Sequence, residues 1–163
     1  MKAFTRRPEY DPAYIVDNYD WASLGNAQVV DVGGARGHVA LCLSRRFENL
    51  TVIAQDMNKV VENAEDEIPT ESRAKVKFMA HDLFAPQTLQ VDAYLFRWVL
   101  HNWSDKYCVM ILQALIPALK AGAKIIIQET CMPKPGAIPL WREKDLRFVF
   151  IHRSAWWLLT DNI

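Results

Sequence analysis

Polar residues stand where short apolar runs stop: Asp31, Asp56, His81–Asp82, Arg97 and Glu129. If each run is a strand of one parallel sheet, these residues gather at the edge where open α/β sheets bind small molecules. The first of them opens a glycine turn, Asp31-Val32-Gly33-Gly34-Ala35-Arg36-Gly37-His38. Glycine there permits positive φ and lets a ligand approach the backbone closely. A dinucleotide fingerprint, Gly-x-Gly-x-x-Gly, begun at Gly33 puts Ala35 and His38 on its second and third glycines. Ala35 would crowd a pyrophosphate, and His38 would obstruct the close helix–strand contact. An adenosyl ligand without phosphates tolerates Ala35, because no charged group must nestle against the helix N-terminus. Asp56 follows at about the 20-residue separation at which an acid meets ribose hydroxyls. Gly33, Asp56 and Asp82 together favour S-adenosylmethionine.

Each of these residues also has a purely structural reading. Asp56 could form the turn before Asn58, Asp82 could cap the Leu83-Phe84 turn, and Arg97 could be an ordinary strand-end cation. His38 is read as a helix-face residue with no role in the chemistry.

The elements that would position these groups follow from hydrophobic period. Gln28 to Val32, Thr51 to Gln55, Lys75 to Met79, Ala93 to Phe96 and Ile125 to Ile127 read as strands. The last, three isoleucines in a row, is expected to be fully buried. Between them lie helices. Pro12 to Tyr19 is short. From Gly37 onward Val39, Leu41, Cys42 and Phe47 form an apolar face, with Arg45 and Arg46 at a solvated end. Asn58 is expected to cap a helix through about Glu65, broken by Ile68-Pro69-Thr70. Ser104 is expected to cap another, whose core face is Cys108, Ile111, Leu112, Leu115 and Leu119 and which Gly122 closes. A stiff loop over 132–136 and a helix from Trp141 complete the chain. Alternating strands and helices give an α/β, doubly wound, mostly parallel sheet, because parallel neighbours need crossovers.

With 163 residues and a net charge of zero, this is one ordinary domain that has no electrostatic reason to bind nucleic acid or an anionic membrane. The expected division is a single domain over 1–163, with a helical lead-in over 1–27 and an apolar helix over 140–163. Cys42, Cys108 and Cys131 are too dispersed for a disulfide framework, and no ligand cluster has metal spacing. Neither a signal peptide nor a membrane-length apolar run is present, so a soluble, cytoplasmic protein is expected.

Four segments carry a resemblance: Tyr19-Asp20-Trp21-Ala22-Ser23-Leu24-Gly25, Val30-Asp31-Val32-Gly33-Gly34, Phe96-Arg97-Trp98-Val99-Leu100-His101-Asn102-Trp103-Ser104-Asp105 and Ala118-Leu119-Lys120-Ala121-Gly122. They resemble S-adenosylmethionine-dependent O-methyltransferases of the plant caffeate type, and more closely the fungal secondary-metabolite branch, from about Phe4 to Arg147. The resemblance implies the class I methyltransferase Rossmann-like fold. It further implies that Gly33 contacts the methionyl part of the cofactor, Asp56 the ribose, Asp82 and Leu83 the adenine end, and Arg97 the cofactor from the fourth strand. His101 matches the family's general base and Glu129 an acid that orients it. A phenol titrates near pH 10 and an imidazole near 6.5, so a neutral His101 can take the proton as the oxygen attacks. The alternative for His101 is that it caps a turn or packs beneath Trp103.

The family also has a helical domain that dimerises and roofs the acceptor pocket, two more strands, and a second acid in a Glu-Arg-Ser/Thr segment. None of these is expected here; the nearest segment to the last is His152-Arg153-Ser154, closer to Asp145 than in the family, and Asn102 stands where Asp is common. The fifth strand would then keep an open edge. Self-association or pairing with another chain through the apolar Trp141–Leu159 segment is expected, unless that segment is simply a buried helix. The implied activity is methyl transfer to a small aromatic or polyketide-like substrate. A methyltransferase-like cyclase and a non-catalytic partner of a full-length enzyme are the alternatives.

Overall fold

The computed structural model describes residues 11–129. Five strands, β1 (Ala27–Val32), β2 (Leu50–Asp56), β3 (Val76–Ala80), β4 (Ala93–Arg97) and β5 (Lys124–Gln128), form one sheet in the order β3-β2-β1-β4-β5. All four pairings are parallel; Val29 lies opposite both Val52 and Ala93, and Leu95 opposite Ile126. The winding direction reverses between β1 and β4, and a crevice opens beyond the carboxyl ends of the strands at such a switch point.

Alternation along the strands divides the core in two. Val29, Val52, Ala54 and Leu95 face helices α1 (Pro12–Asp17) and α2 (His38–Arg46), where Ile15, Val16, Val39 and Leu43 meet them. Val30, Val32, Tyr94 and Phe96 face the opposite way, onto Cys108, Ile111 and Leu115 of α4 (Asp105–Leu115). Helices therefore cover both faces, and fully burying each large aliphatic side chain contributes about 1.5–3 kcal/mol. Trp21 is part of this packing. It is fully buried, its indole N–H donates to the Ile15 carbonyl at 2.9 Å, and Asp20 caps its turn through the Ser23 N–H. Its segment, Tyr19 to Gly25, is thus a packing motif.

Local chemistry explains the element ends. The Asp11 carboxylate accepts from the Ala13 N–H at 2.9 Å and Pro12 occupies the first turn of α1. Gly37 precedes α2 with φ 73°, and a Cβ there would lie 2.7 Å from the Phe78 ring. The close helix–sheet approach thus belongs to Gly37 and not to the next residue. His38 is exposed on the first turn of α2 and obstructs nothing.

Several expectations need correction. Ala40 and Leu43, not Leu41, are the fully buried residues of α2; Leu41 and Cys42 flank its apolar stripe, and Phe47 has already left the helix. Asn58 does not cap a long helix. The position before α3 (Asn58–Val61) is Met57, and after one turn Asn63 takes a left-handed φ of 58° that a continuous helix cannot contain. Ser104 precedes α4 as expected but makes no side-chain cap. That helix ends at Leu115 because Pro117 cannot continue it, so Gly122 lies in a later turn and Leu119 is exposed. Ile125 and Ile127 of β5 are 42% and 49% exposed, and only Ile126 is buried. The reason is position: β5 lies outermost, and α4 packs over β1 and β4. Asp31 is not strand-terminal but sits inside β1.

The 132–136 loop, Cys131, the helix expected from Trp141, the 152–154 segment and the Trp141–Leu159 association surface lie outside the described residues. No helix among those described is long and apolar enough to cross a membrane.

Candidate functional site

Because the strands are parallel, Gly33 after β1, Asp56 at the end of β2, His81–Asp82 after β3, Arg97 at the end of β4 and Glu129 after β5 share one edge. The glycine turn there is internally bonded. The Gly33 and Gly34 N–H groups both donate to the Gln55 carbonyl, at 2.8 and 3.0 Å, and the Gly37 N–H donates to Gly34 at 2.9 Å. The Ala35 N–H donates to Asp56 Oδ2 at 3.0 Å, and Asp56 Oδ1 accepts from Met57 N–H at 2.8 Å. A phosphate cradle needs several backbone donors aimed at the ligand. These donors are engaged within the protein, so the turn offers shape and no anion hole. Each Asp56 oxygen keeps acceptor capacity for a hydroxyl.

Beneath the turn lies a residue whose burial hydrophobic period did not reveal. Asp31 is 2% exposed, and its Oδ2 has no hydrogen-bond partner among the described residues. The atom lies 2.8 Å from where a Gly34 side chain would begin, so only glycine fits above it. Burial pushes the Asp31 carboxyl up to about 7; Arg97 opposes the shift and Asp56 adds to it. The acid stood out in the sequence, but its place inside β1 and its burial depend on glycine packing that no periodicity reports.

Asp82 Oδ1 accepts from the Phe84 N–H at 2.9 Å, so it does cap the turn that follows it. Its side chain is exposed at the crevice, and the half-buried Leu83 lines a small recess with Val32, His81 and Phe96. Gln87 fixes this loop. It exchanges amide bonds with Gln55 of β2 at 2.8 and 3.2 Å, and its Oε1 also accepts from the Thr88 and Leu89 N–H groups. The Trp103 ring meets Phe84 edge-on at 4.8 Å, closing the loop against the segment before α4. Gln87 and this aromatic contact carry no motif signal.

Arg97 is turned largely to structural work. Its Nε donates to Gln128 Oε1 at 2.9 Å and its Nη2 to the Asp11 carbonyl at 3.2 Å, joining β4 to β5 and to the start of α1. After it the chain turns sharply at Trp98, with φ 60°, into a single 3-10 turn that holds His101. Glu129 organises that turn. Its Oε1 accepts from the N–H groups of Val99, Leu100 and His101 at 2.8, 2.6 and 3.4 Å, and its Oε2 meets His101 Nδ1 at 2.8 Å. A carboxylate oxygen only accepts, so facing Oε2 the Nδ1 atom is the donor, and in a neutral ring Nε2 is then the acceptor nitrogen. The His101 ring packs edge-on against Trp98 at 5.5 Å. Asn102 donates from Nδ2 to the Trp98 carbonyl at 3.2 Å, a bond that an aspartate in its place would not make. Among the described residues no cluster of His, Cys, Asp or Glu could hold a metal ion.

The family model for the O-methyltransferase domain matches residues 13–154. An O-methyltransferase, PaMT, from Phomopsis amygdali is 39% identical over 142 residues, covering 86% of this chain and 33% of the relative. The grayanic acid biosynthesis cluster O-methyltransferase of Cladonia grayi is 43% identical over 149 residues, covering 90% and 33%. The chain therefore spans about a third of the length of these curated relatives. The crystal structure of TnmH superposes with a TM-score of 0.77 at 22% identity, covering 91% of this chain and 44% of that one. NcsB1, an O-methyltransferase from neocarzinostatin biosynthesis solved with S-adenosyl-L-homocysteine and 1,4-dihydroxy-2-naphthoic acid, gives 0.71 at 28% identity, covering 87% and 42%. The fold is the Rossmann-like one of class I methyltransferases, with five strands among the described residues. On the family match and the level of identity along most of its length, the chain belongs to the O-methyltransferase domain family.

Proposed function

We propose that this chain is the cofactor-binding part of an S-adenosylmethionine-dependent O-methyltransferase acting on a small phenolic or enolic secondary metabolite. The observation that carries the reading is the Glu129–His101 pair, held at the same sheet edge as Asp56 and Asp82. The residues fit the cofactor. The glycine turn has no amides arranged for phosphate, and both Asp56 oxygens at its rim keep acceptor capacity for ribose hydroxyls. Gly33 would lie along the methionyl part, Asp56 at the ribose, Asp82 and Leu83 at the adenine end, and Arg97 beside the ligand from β4. When bound, the cofactor supplies a sulfonium-activated methyl group.

The chain's own contribution is alignment and proton management. His101 Nε2 accepts the hydroxyl proton as the acceptor oxygen takes the methyl, and Glu129 steadies the resulting imidazolium until the proton leaves to solvent. Such a base typically contributes ~10²–10⁴ in rate, and alignment of the reactants can contribute more. The bicyclic phenol bound to NcsB1 supports a phenolic acceptor class. The same reading has the protein acting in the cytoplasm and pairing with itself or another chain.

The test has two stages. Calorimetric titration with S-adenosylhomocysteine should give binding heats, and their absence would refute the reading. With a panel of phenolic acceptors, product mass should rise by one methyl, whereas an isomeric product would indicate ring formation instead. His101→Asn should lower methyl transfer by ~10²–10⁴ while leaving S-adenosylhomocysteine affinity within a few-fold. An undiminished rate in that variant would remove His101 from the mechanism.

A further inference from the structure

The second side chain engaged by the glycine turn is Arg36, between Ala35 and Gly37. It reaches across to the segment that follows β2. Its Nη1 donates to the Val60 and Glu62 carbonyls at 2.6 and 2.9 Å. Its Nε donates to Glu67 Oε2 at 2.9 Å, and its Nη2 pairs with the other oxygen of the same carboxylate. The Val60 and Glu62 carbonyls lie where α3 breaks off after one turn, and carbonyls at a helix end need an outside donor. An exposed ion pair alone would be worth little, but a fork that also holds two backbone carbonyls fixes a geometry.

That geometry bears on Asp56. Ala35 has φ 48°, a left-handed conformation that a non-glycine residue keeps only when its surroundings over-determine it. From that conformation its N–H donates to Asp56 Oδ2. Arg36 is covalently next to Ala35 and grips the chain that leaves Asp56 through Met57. The clamp therefore holds both sides of the Ala35–Asp56 bond.

We propose that Arg36 is a positioning residue for the adenosyl ligand, its fork on the 60–67 segment holding Ala35 in the conformation whose N–H orients the Asp56 carboxylate toward the ribose hydroxyls. The proposal rests on the adenosyl reading of the crevice given above. It predicts a specific dependence: Arg36 acts on affinity only through Asp56.

The experiment is a double-mutant cycle read by calorimetry with S-adenosylhomocysteine on the full chain. Arg36→Ala should weaken binding by about tenfold, and adding it to Asp56→Asn should weaken binding no further, because the two residues share one route. Unchanged affinity in Arg36→Ala, or a full additional loss in the double variant, would overturn the proposal. Arg36→Lys keeps the charge without the fork and should lose about as much as Arg36→Ala. Complete rescue by lysine would assign the effect to charge and overturn the clamp. If the unaltered chain binds no S-adenosylhomocysteine, the functional reading falls, and the clamp is decided separately by amide exchange in the ligand-free chain. Faster exchange at the Ala35 N–H in Arg36→Ala supports it; an unchanged rate overturns it.

Discussion

Asp31 holds a carboxyl inside the sheet, beneath a turn whose glycine leaves room for nothing larger. Burial pushes its titration from the ordinary 3.8 up to about 7, against the pull of Arg97 and with the help of Asp56. The folded chain therefore binds this proton more tightly than the unfolded one. Below about pH 4 the carboxyl is neutral in both states and its stabilisation is fully present. As pH rises through 7 that stabilisation is lost, on the order of 4 kcal/mol in all, and the curve then flattens. Asp31→Asn cannot ionise, so the melting temperature of the variant relative to the unaltered chain should climb between about pH 4 and pH 8. Thermal melts across that range measure the slope. A difference independent of pH would mean that Asp31 does not titrate as its burial requires. Arg97 shows the same tension from the other side: burial pulls its guanidinium below its usual range, and Asp31 counters that pull.

Between β2 and the loop after β3, one side-chain pair does the positioning. Gln55 is 1% exposed, and its amide is matched atom for atom by Gln87. Gln55→Leu leaves the Gln87 amide buried without its partner, which should destabilise the chain by about 1–3 kcal/mol in urea denaturation. The damage should be local: amide exchange should quicken over 83–91 before it does in β1. Uniform exchange across the sheet would show instead that the pair serves global packing. This pair also marks the limit of what sequence patterning could reveal. The five strands were legible because short β-branched and apolar runs mark strands directly, but the burial of β5 and of the outer helix positions Leu41 and Leu119 was not, because it depends on which elements pack over them. Asp56, Asp82 and Glu129 were legible as strand-end polar residues, and His101 through a box of residues around it. Gln87 was not, since a loop residue has no period and its role comes from a partner 32 positions away. The length of α3 was missed for a similar reason: Asn63 in a left-handed conformation is a tertiary choice that local propensity does not announce.

At the scale of the whole molecule, the described sheet is asymmetric. On the side where α4 covers β1 and β4, β5 presents Ile125 and Ile127, 42% and 49% exposed, while Ile126 on its other face is buried. Among the described strands β5 pairs with β4 alone, so its outer row of N–H and C=O groups has no ladder partner there. An apolar edge strand with no further partner among the described residues is a template for pairing with another chain. Burying a full isoleucine contributes about 1.5–3 kcal/mol, so two half-exposed ones supply a real driving force. The chain is therefore expected to associate at micromolar concentration in sedimentation velocity. Ile125→Lys with Ile127→Lys should reduce the sedimentation coefficient, and because both positions already meet solvent the melting temperature should change little. A single monomeric boundary for the unaltered chain would refute the expectation. Association that survives both lysines would move the contact away from β5.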